Sequence, residues 1–331
     1  MQPKFFHIPE LERELARLES ALRHTVVSDD PFLSEISSHL ISAGGKRIRP
    51  LLAIQSALAV GGKVTDSVIQ GGVAVELVHL ASLHHDDVMD EAAFRRGVQS
   101  VNSRWGNLLA VVTGDYLLAK AAGIAAGLSQ EIAQLLANTL ADMCTGQVQE
   151  VKSNFELART EDSYLAAISG KTASLMATSC RIGALLSTRS KDLHDALTEL
   201  GQCIGMIFQI RDDVFDLLAS EEQLGKRPGQ DLVEGVYTLP IIAGLNNPSS
   251  RDALTLLLED AKTQDVLSAA RDLLKTSGAF EVAFDSLTGY LKRAEDIAES
   301  IDNPAARQLS SLASELVDSV EALLHSAVPI A

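Results

Sequence analysis

The sequence predicts an all-α fold, and three observations predict it. Apolar residues recur at helical spacing nearly from end to end. No sustained two-residue alternation bounded by hairpin turns interrupts them. Of 331 residues, 46% are hydrophobic and only 4% aromatic, so a sizeable core is available without disulfide or metal staples.

The elements follow in order. Leu11, Leu15, Leu18 and Leu22 form a stripe with charges between them, one face of a first helix. Asp30-Pro31 starts a second: the carboxylate caps, and proline occupies the first turn, where no donor is needed. Gly44-Gly45 and Gly61-Gly62 end helices. A long helix is expected over Asp66–Asp90, then others over Asn107–Ala126, Gln130–Ser153, Lys171–Leu186 and Asp192–Leu218. The C-terminal third continues with Thr238–Leu245, Arg251–Thr276, Ala279–Ile301 and Pro304–His325. Val73-Ala74-Val75 and Val111-Val112 have strand propensity, but each lies inside a longer helical pattern. No low-complexity linker divides the chain, so residues 1–331 read as one domain, with layers of helices around a large interior.

Acidic residues outnumber basic ones 44 to 28, for a formal charge of −16. This balance lacks the basic stripe of a nucleic-acid binder, and the apolar content excludes a disordered acidic chain. Cys144, Cys180 and Cys203 are odd in number, far apart and set in apolar stretches. They read as small buried hydrophobes in a reducing compartment. The N-terminus has no signal-peptide pattern, and Asp115 and Lys120 interrupt the longest apolar stretch. The expected location is cytoplasmic, with at most peripheral membrane contact.

Two places break the core pattern: His84-His85-Asp86-Asp87-Val88-Met89-Asp90, at the end of a long apolar helix, and Gln209-Ile210-Arg211-Asp212-Asp213-Val214-Phe215-Asp216, deep in another. Each carries Asp-Asp-x-x-Asp. Residues four apart share a helix face about 6 Å apart along the axis, so Asp86 points with Asp90 and Asp212 with Asp216. Such clusters repel, and negative charge at a helix C-terminus opposes the macrodipole. A hard cation relieves both, and carboxylate oxygens suit magnesium. One motif alone is as easily a solvated acidic patch. Two copies in apolar surroundings argue for a site: facing each other across a cavity, they could hold several magnesium ions and therefore a diphosphate.

Basic groups to complete such a site are present. Lys46, Arg47 and Arg49 follow Gly44-Gly45; Arg95-Arg96-Gly97 follows the first motif; Lys171-Thr172 opens an apolar helix; Lys226 follows the second motif. Arginine forks match phosphate oxygens and lysine supplies a compact charge. Each alone is a plausible solvated cation; the combination with two acidic motifs is what points to an anion.

The stretches GGKRIRP, HDDVMD, RRG, GDYLLA, KT, FQIRDDVFD and GK, with Thr238-Leu239-Pro240, resemble the trans-isoprenyl diphosphate synthases, or polyprenyl synthetases, most clearly from Gly44 through Pro240. The resemblance implies antiparallel helices around a deep central cavity, a homodimer, and magnesium-dependent head-to-tail condensation of isopentenyl diphosphate onto an allylic diphosphate, with three Mg2+ per site once substrate is bound. It assigns Asp86, Asp90 and Asp212 as magnesium ligands, with Asp87, Asp213 and Asp216 in support. It assigns Arg95, Lys171 and Lys226 to the allylic diphosphate, and Lys46, Arg49, His79 and Arg96 to isopentenyl diphosphate. Thr172 and Gln209 match polar groups lining the allylic cation. His85 reads equally as a support for the ligands or as a packing residue, and His84 is no more definite.

The positions upstream of Asp86 bear on product length. Val78, Ala81 and Ser82 lie within about two turns of it. In the family, short-chain enzymes often carry aromatics at the positions of Ala81 and Ser82, and long-chain ones small residues. The absence of a bulky floor predicts a long-chain product of the kind used for a quinone side chain; the bland alternative is that small residues permit close packing. The competing assignments are a short-chain farnesyl or geranylgeranyl diphosphate synthase, a terpene cyclase, and a non-catalytic partner subunit. Cyclases typically replace the second acidic motif, and a regulatory subunit is expected to lose site residues that this chain keeps.

Overall fold

The computed structural model describes residues 9–224, 228–259 and 264–327, and they are overwhelmingly helical. The helices are α1 (Pro9–Thr25), α2 (Pro31–Ser42), α3 (Ile48–Ala59), α4 (Asp66–Met89), α5 (Val101–Trp105), α6 (Asn107–Leu128), α7 (Gln130–Lys152), α8 (Glu161–Ile168), α9 (Ser174–Leu185), α10 (Lys191–Leu218), α11 (Glu221–Leu224), α12 (Gln230–Val233), α13 (Leu239–Asn246), α14 (Arg251–Leu258), α15 (Gln264–Thr276), α16 (Ala279–Ile301) and α17 (Pro304–Ala327). Two short strands, β1 (Phe94–Arg95) and β2 (Val98–Gln99), pair antiparallel between α4 and α5. The chain divides into two compact units. One comprises Met1–Ala141, Leu175–Gly201 and Glu299–Leu309; the other comprises Asp142–Ser174, Gln202–Ala298 and Ser310–Ala331.

In the first unit α4 is the core helix. Its N-terminus is capped by Thr65, whose hydroxyl oxygen accepts from the Val68 amide at 3.3 Å. Val68, Val73, Ala74, Leu77 and Leu80 are all buried, as befits a helix apolar on every side. It packs along α6, α3 and α1. The helix start at Asp30-Pro31 forms as the sequence predicts: Asp30 Oδ1 accepts from Phe32 N at 2.8 Å, with Pro31 in the first turn. The Arg95-Arg96-Gly97 stretch forms a hairpin that the sequence reading does not contain. Arg96 and Gly97 have φ of 53° and 77°, the positive values a tight two-residue hairpin turn requires.

In the second unit α8 runs into a π-helical turn, Ser169–Ala173, and then into the start of α9. Lys171-Thr172 therefore lies inside a helix at a π-bulge, a feature enriched at functional sites, and does not open one as the sequence predicts. The helix expected over Arg251–Thr276 is two, α14 and α15, with residues 260–263 outside the described set. Cys180 and Cys203 are buried as expected, and burial pushes the Cys180 thiol up to about 12. Cys144 is exposed instead. The buried face of α7 runs through Ile132, Leu136, Thr139 and Gly146, which turns residue 144 outward.

Candidate functional site

The last turn of α4 carries the first acidic motif. Asp90 caps the helix, its amide donating to the Asp86 carbonyl at 2.8 Å. Asp86 is half-buried and Asp90 exposed, one turn apart at the end of the helix. Asp87 points the other way and is fully buried. Its Oδ1 accepts from Arg95 Nε at 2.7 Å and lies 2.6 Å from Arg95 Nη2, while Asn102 Nδ2 donates to its carbonyl at 2.8 Å. Burial raises the Asp87 carboxyl above its ordinary value, and Arg95 opposes the rise. The hairpin and α5 thus clamp the base of the motif through Arg95 and Asn102.

His85 docks on α6. Its Nε2 lies 3.3 Å from the Val111 carbonyl and 3.5 Å from Asp115 Oδ1. Gly114 makes this possible: a Cβ there would stand 2.3 Å from the same ring nitrogen. His84 is fully buried, and burial holds its imidazole down at about 4.

Two turns before Asp86, His79 sits among cations. Burial, then the charges of Arg49, Arg96, Arg47 and Arg95, hold its pKa well below the ordinary imidazole range. Of the residues assigned to isopentenyl diphosphate, the fold therefore groups Arg49, His79 and Arg96. Lys46 is exposed on the loop before α3. Arg96 is anchored by donating Nη1 to the carbonyls of Leu40, at 3.2 Å, and Gly44. Arg47, between the two assigned cations, does something else. It adopts φ 50° at the start of α3, is buried, and donates to Glu19 at 2.5 Å, to Glu76 at 2.9 Å and to the Ile41 carbonyl at 3.0 Å. Glu76 is raised by burial against the pull of Arg47, Arg49 and Arg96. Val78 and Ala81 are enclosed; Ser82 is half-buried, its hydroxyl donating to the His79 carbonyl at 2.9 Å.

The second motif ends α10. Asp212 is half-buried, and its Oδ1 accepts from Arg211 Nη1 at 2.7 Å. Asp213 is buried between neutral donors, Tyr164 Oη at 2.6 Å and Gln209 Nε2 at 2.8 Å. Thr172 Oγ1 donates to Gln209 Oε1 at 2.7 Å, so the two residues matched to cation-lining groups are linked, and both ends of the Gln209 amide are engaged. Burial, with Asp231 and Glu150 adding, pushes the Asp213 carboxyl well above its ordinary value. Asp216 is buried; its Oδ2 accepts from the Asp231 amide at 3.2 Å, and its carbonyl from the Gly229 amide at 2.7 Å. Lys171, in the π turn, pairs with Glu150. Lys226 lies outside the described residues. Buried Arg159, which donates to the Tyr237 carbonyl at 2.8 Å, and Tyr164 complete this network. Sequence reasoning passed over both, although Tyr164 lies seven residues before Lys171, two turns away along the same run of helix.

Among the described residues no three His, Cys, Asp or Glu side chains converge into a ready-made metal cage. The oxygen-only donors at an open helix end, Asp86 with Asp90, suit a hard cation that keeps several waters and takes further ligands from substrate phosphates, as magnesium does.

The polyprenyl synthetase family model matches residues 30–274. Component 2 of the heptaprenyl diphosphate synthase of Bacillus subtilis (strain 168) is 36% identical over 304 residues, covering 92% of this chain and 86% of that protein. A geranylgeranyl diphosphate synthase of Methanosarcina mazei is 38% identical over 242 residues, covering 71% and 74%. The crystal structure of a decaprenyl diphosphate synthase from Rhodobacter capsulatus superposes with a TM-score of 0.86 at 31% identity, covering 94% and 98% of the two chains. With both acidic motifs at helix ends, arginines grouped around His79, and an all-α fold of the isoprenoid synthase type, the chain belongs to the polyprenyl synthetase family.

Proposed function

We propose that this protein condenses isopentenyl diphosphate head-to-tail onto an allylic diphosphate, with magnesium, to build a long-chain all-trans polyprenyl diphosphate for a quinone side chain. The observation that carries the reading is the composition of α4. One helix bears an oxygen-donor pair, Asp86 and Asp90, and two turns away a neutral His79 under the charge of Arg49 and Arg96. That is a metal position beside an anion position, as a reaction between two diphosphates requires.

Asp86 with Asp90 in one unit, and Asp212 in the other, would each hold magnesium, which would supply the positive charge that neutralises a leaving diphosphate as the allylic C–O bond ionises. Arg49, Arg96 and Lys46 hold the other diphosphate and orient its alkene, which attacks the allylic carbon to form the new C–C bond. A proton then leaves to the departing diphosphate. Asp87 keeps Arg95 in place, and Asp213, Gln209 and Thr172 brace the π turn against α10.

The small residues Ala81 and Ser82 above Asp86, and the hepta- and decaprenyl relatives, support a long-chain product. The decisive assay uses purified protein, magnesium, labelled isopentenyl diphosphate and separate allylic primers, with product length read by chromatography. Products beyond geranylgeranyl are expected; none longer would reject the long-chain reading, and no condensation with any primer would reject the activity.

A homodimer accounts for α6. Leu108, Val111, Val112, Ala119, Ala122 and Ala126 are exposed along one side, and by length and composition α6 is apolar enough to cross a membrane despite Asp115 and Lys120. A second copy covering that face supplies the missing burial. Sedimentation should show a dimer that Val112→Glu dissociates; a monomeric active enzyme would refute it. The Bacillus relative is named a component, so activity of the purified chain alone also tests for a required second subunit.

A further inference from the structure

Arg211 immediately precedes Asp212, yet its guanidinium is held from three sides. Nη1 donates to Asp212 Oδ1 at 2.7 Å, Nε donates to Ser319 Oγ at 2.9 Å, and Cζ lies 3.9 Å from the centroid of the Phe215 ring. The Ser319 hydroxyl proton is directed to the Leu316 carbonyl at 2.6 Å, which leaves its lone pair for the arginine. Phe215 is one helical turn after Arg211, so the stacking follows from α10 itself. Ser319 comes from α17. The fork is therefore preorganised against one carboxylate oxygen, and turning away from it would sacrifice contacts to two other side chains.

A carboxylate beside a fixed guanidinium is already partly neutralised, and a divalent cation reaching the same carboxylate is repelled by that charge. We propose that Arg211 is a built-in counter-ion of Asp212, a positioning residue that competes with the divalent cation and sets the metal concentration at which the second motif fills. This rests on the reading of Asp212 as a metal ligand. The first motif has a different arrangement: its arginine, Arg95, pairs with the buried Asp87.

The test measures metal binding directly and without turnover. Mn2+ is titrated into the purified protein with excess inorganic diphosphate, and free Mn2+ is read by electron paramagnetic resonance. An Asp86→Ala background isolates the second motif, and thermal melts confirm the fold. Arg211→Gln keeps a donor but removes the charge, and should tighten Mn2+ binding roughly three- to tenfold, the scale of a partly screened charge. Arg211→Lys keeps the charge and should stay within about twofold of the parent, while Ser319→Ala, which loosens the fork, should fall between. Unchanged or weaker Mn2+ binding in folded Arg211→Gln would overturn the proposal. If Asp212→Ala left Mn2+ binding unchanged in the same background, the assignment of Asp212 itself would fall, and the proposal with it.

Discussion

In the first acidic motif an arginine from the β1–β2 hairpin, Arg95, reaches the buried middle aspartate, Asp87. In the second an arginine from the motif's own helix, Arg211, reaches the outer aspartate, Asp212, and the middle one is held by the neutral donors Tyr164 and Gln209. The last aspartate differs too: Asp90 is exposed at a helix end, whereas Asp216 is buried and accepts from the Asp231 amide. The same five-residue pattern therefore serves two electrostatic designs. The middle carboxylate is buried in both, and what differs is whether its hydrogen bonds come from a cation or from neutral donors.

The largest expected effect tests whether the outer aspartates are equivalent despite that difference. Asp86→Ala and Asp212→Ala should each lower turnover at least about a hundred- to thousandfold while the fold survives. Near-wild-type turnover in either variant at saturating magnesium would end the symmetry between the motifs. Next come the two arginines beside the first motif. Arg96→Ala should raise the KM for isopentenyl diphosphate roughly ten- to hundredfold, the worth of a charge-assisted contact. Arg95→Ala should act on the allylic substrate and also lower stability, because it leaves the Asp87 charge buried. Equal effects of both variants on both substrates would contradict the division.

Burial raises the carboxyls of both middle aspartates, and they should separate by the partner that each replacement removes. Asp213 has a raised carboxyl pKa in the folded chain, so the folded state binds the proton more tightly than the unfolded state. Its contribution to stability is full below the unfolded carboxyl value and is lost as pH rises through the folded one. Asp213→Asn should flatten that slope in thermal melts run upward from about pH 4. Asp87→Asn should instead cost about 1.5–3 kcal/mol near neutral pH, because it removes the Arg95 pair. The reverse pattern would show that the middle positions are not distinguished as the structure indicates.

The smallest effect concerns chain length. Four residues before Asp86 stands Ser82; four before Asp212 stands Phe208. Ser82→Phe should shorten the product while condensation persists. It is a gentler test than Ala81→Phe, since Ala81 is fully enclosed and overpacking there costs about 1–3 kcal/mol. An unchanged product length in Ser82→Phe would mean that this helix face does not limit the chain.

Much of this was legible in advance because it is local. The cap at Asp30, the end of α4 beside Asp90 and the one-turn spacing of Asp86 with Asp90 all depend on neighbours within four residues. The hairpin at Arg96-Gly97 was missed because two-residue strands leave no alternation to detect, and only the positive φ values reveal it. The π turn at Lys171 was missed because a helix read from periodicity alone carries no mark of one extra residue in a turn. Arg47 looked like a third substrate cation, since nothing nearby in sequence announces Glu19 and Glu76 as its partners.

The sequence by itself determined that this chain is helical, where most helices begin and end, and that two acidic motifs and several basic groups stand ready for magnesium and diphosphate. Helix formation and side-chain spacing within a helix are decided by short-range sterics and backbone hydrogen bonds. Only the tertiary structure decided which carboxylate of each motif is buried and what it meets. Those partners, Arg95 for Asp87, Tyr164 for Asp213 and Ser319 for the arginine beside Asp212, are brought in by packing from positions 8, 49 and 108 residues away. A carboxylate's charge state and reach follow from burial and neighbours, which linear spacing does not encode.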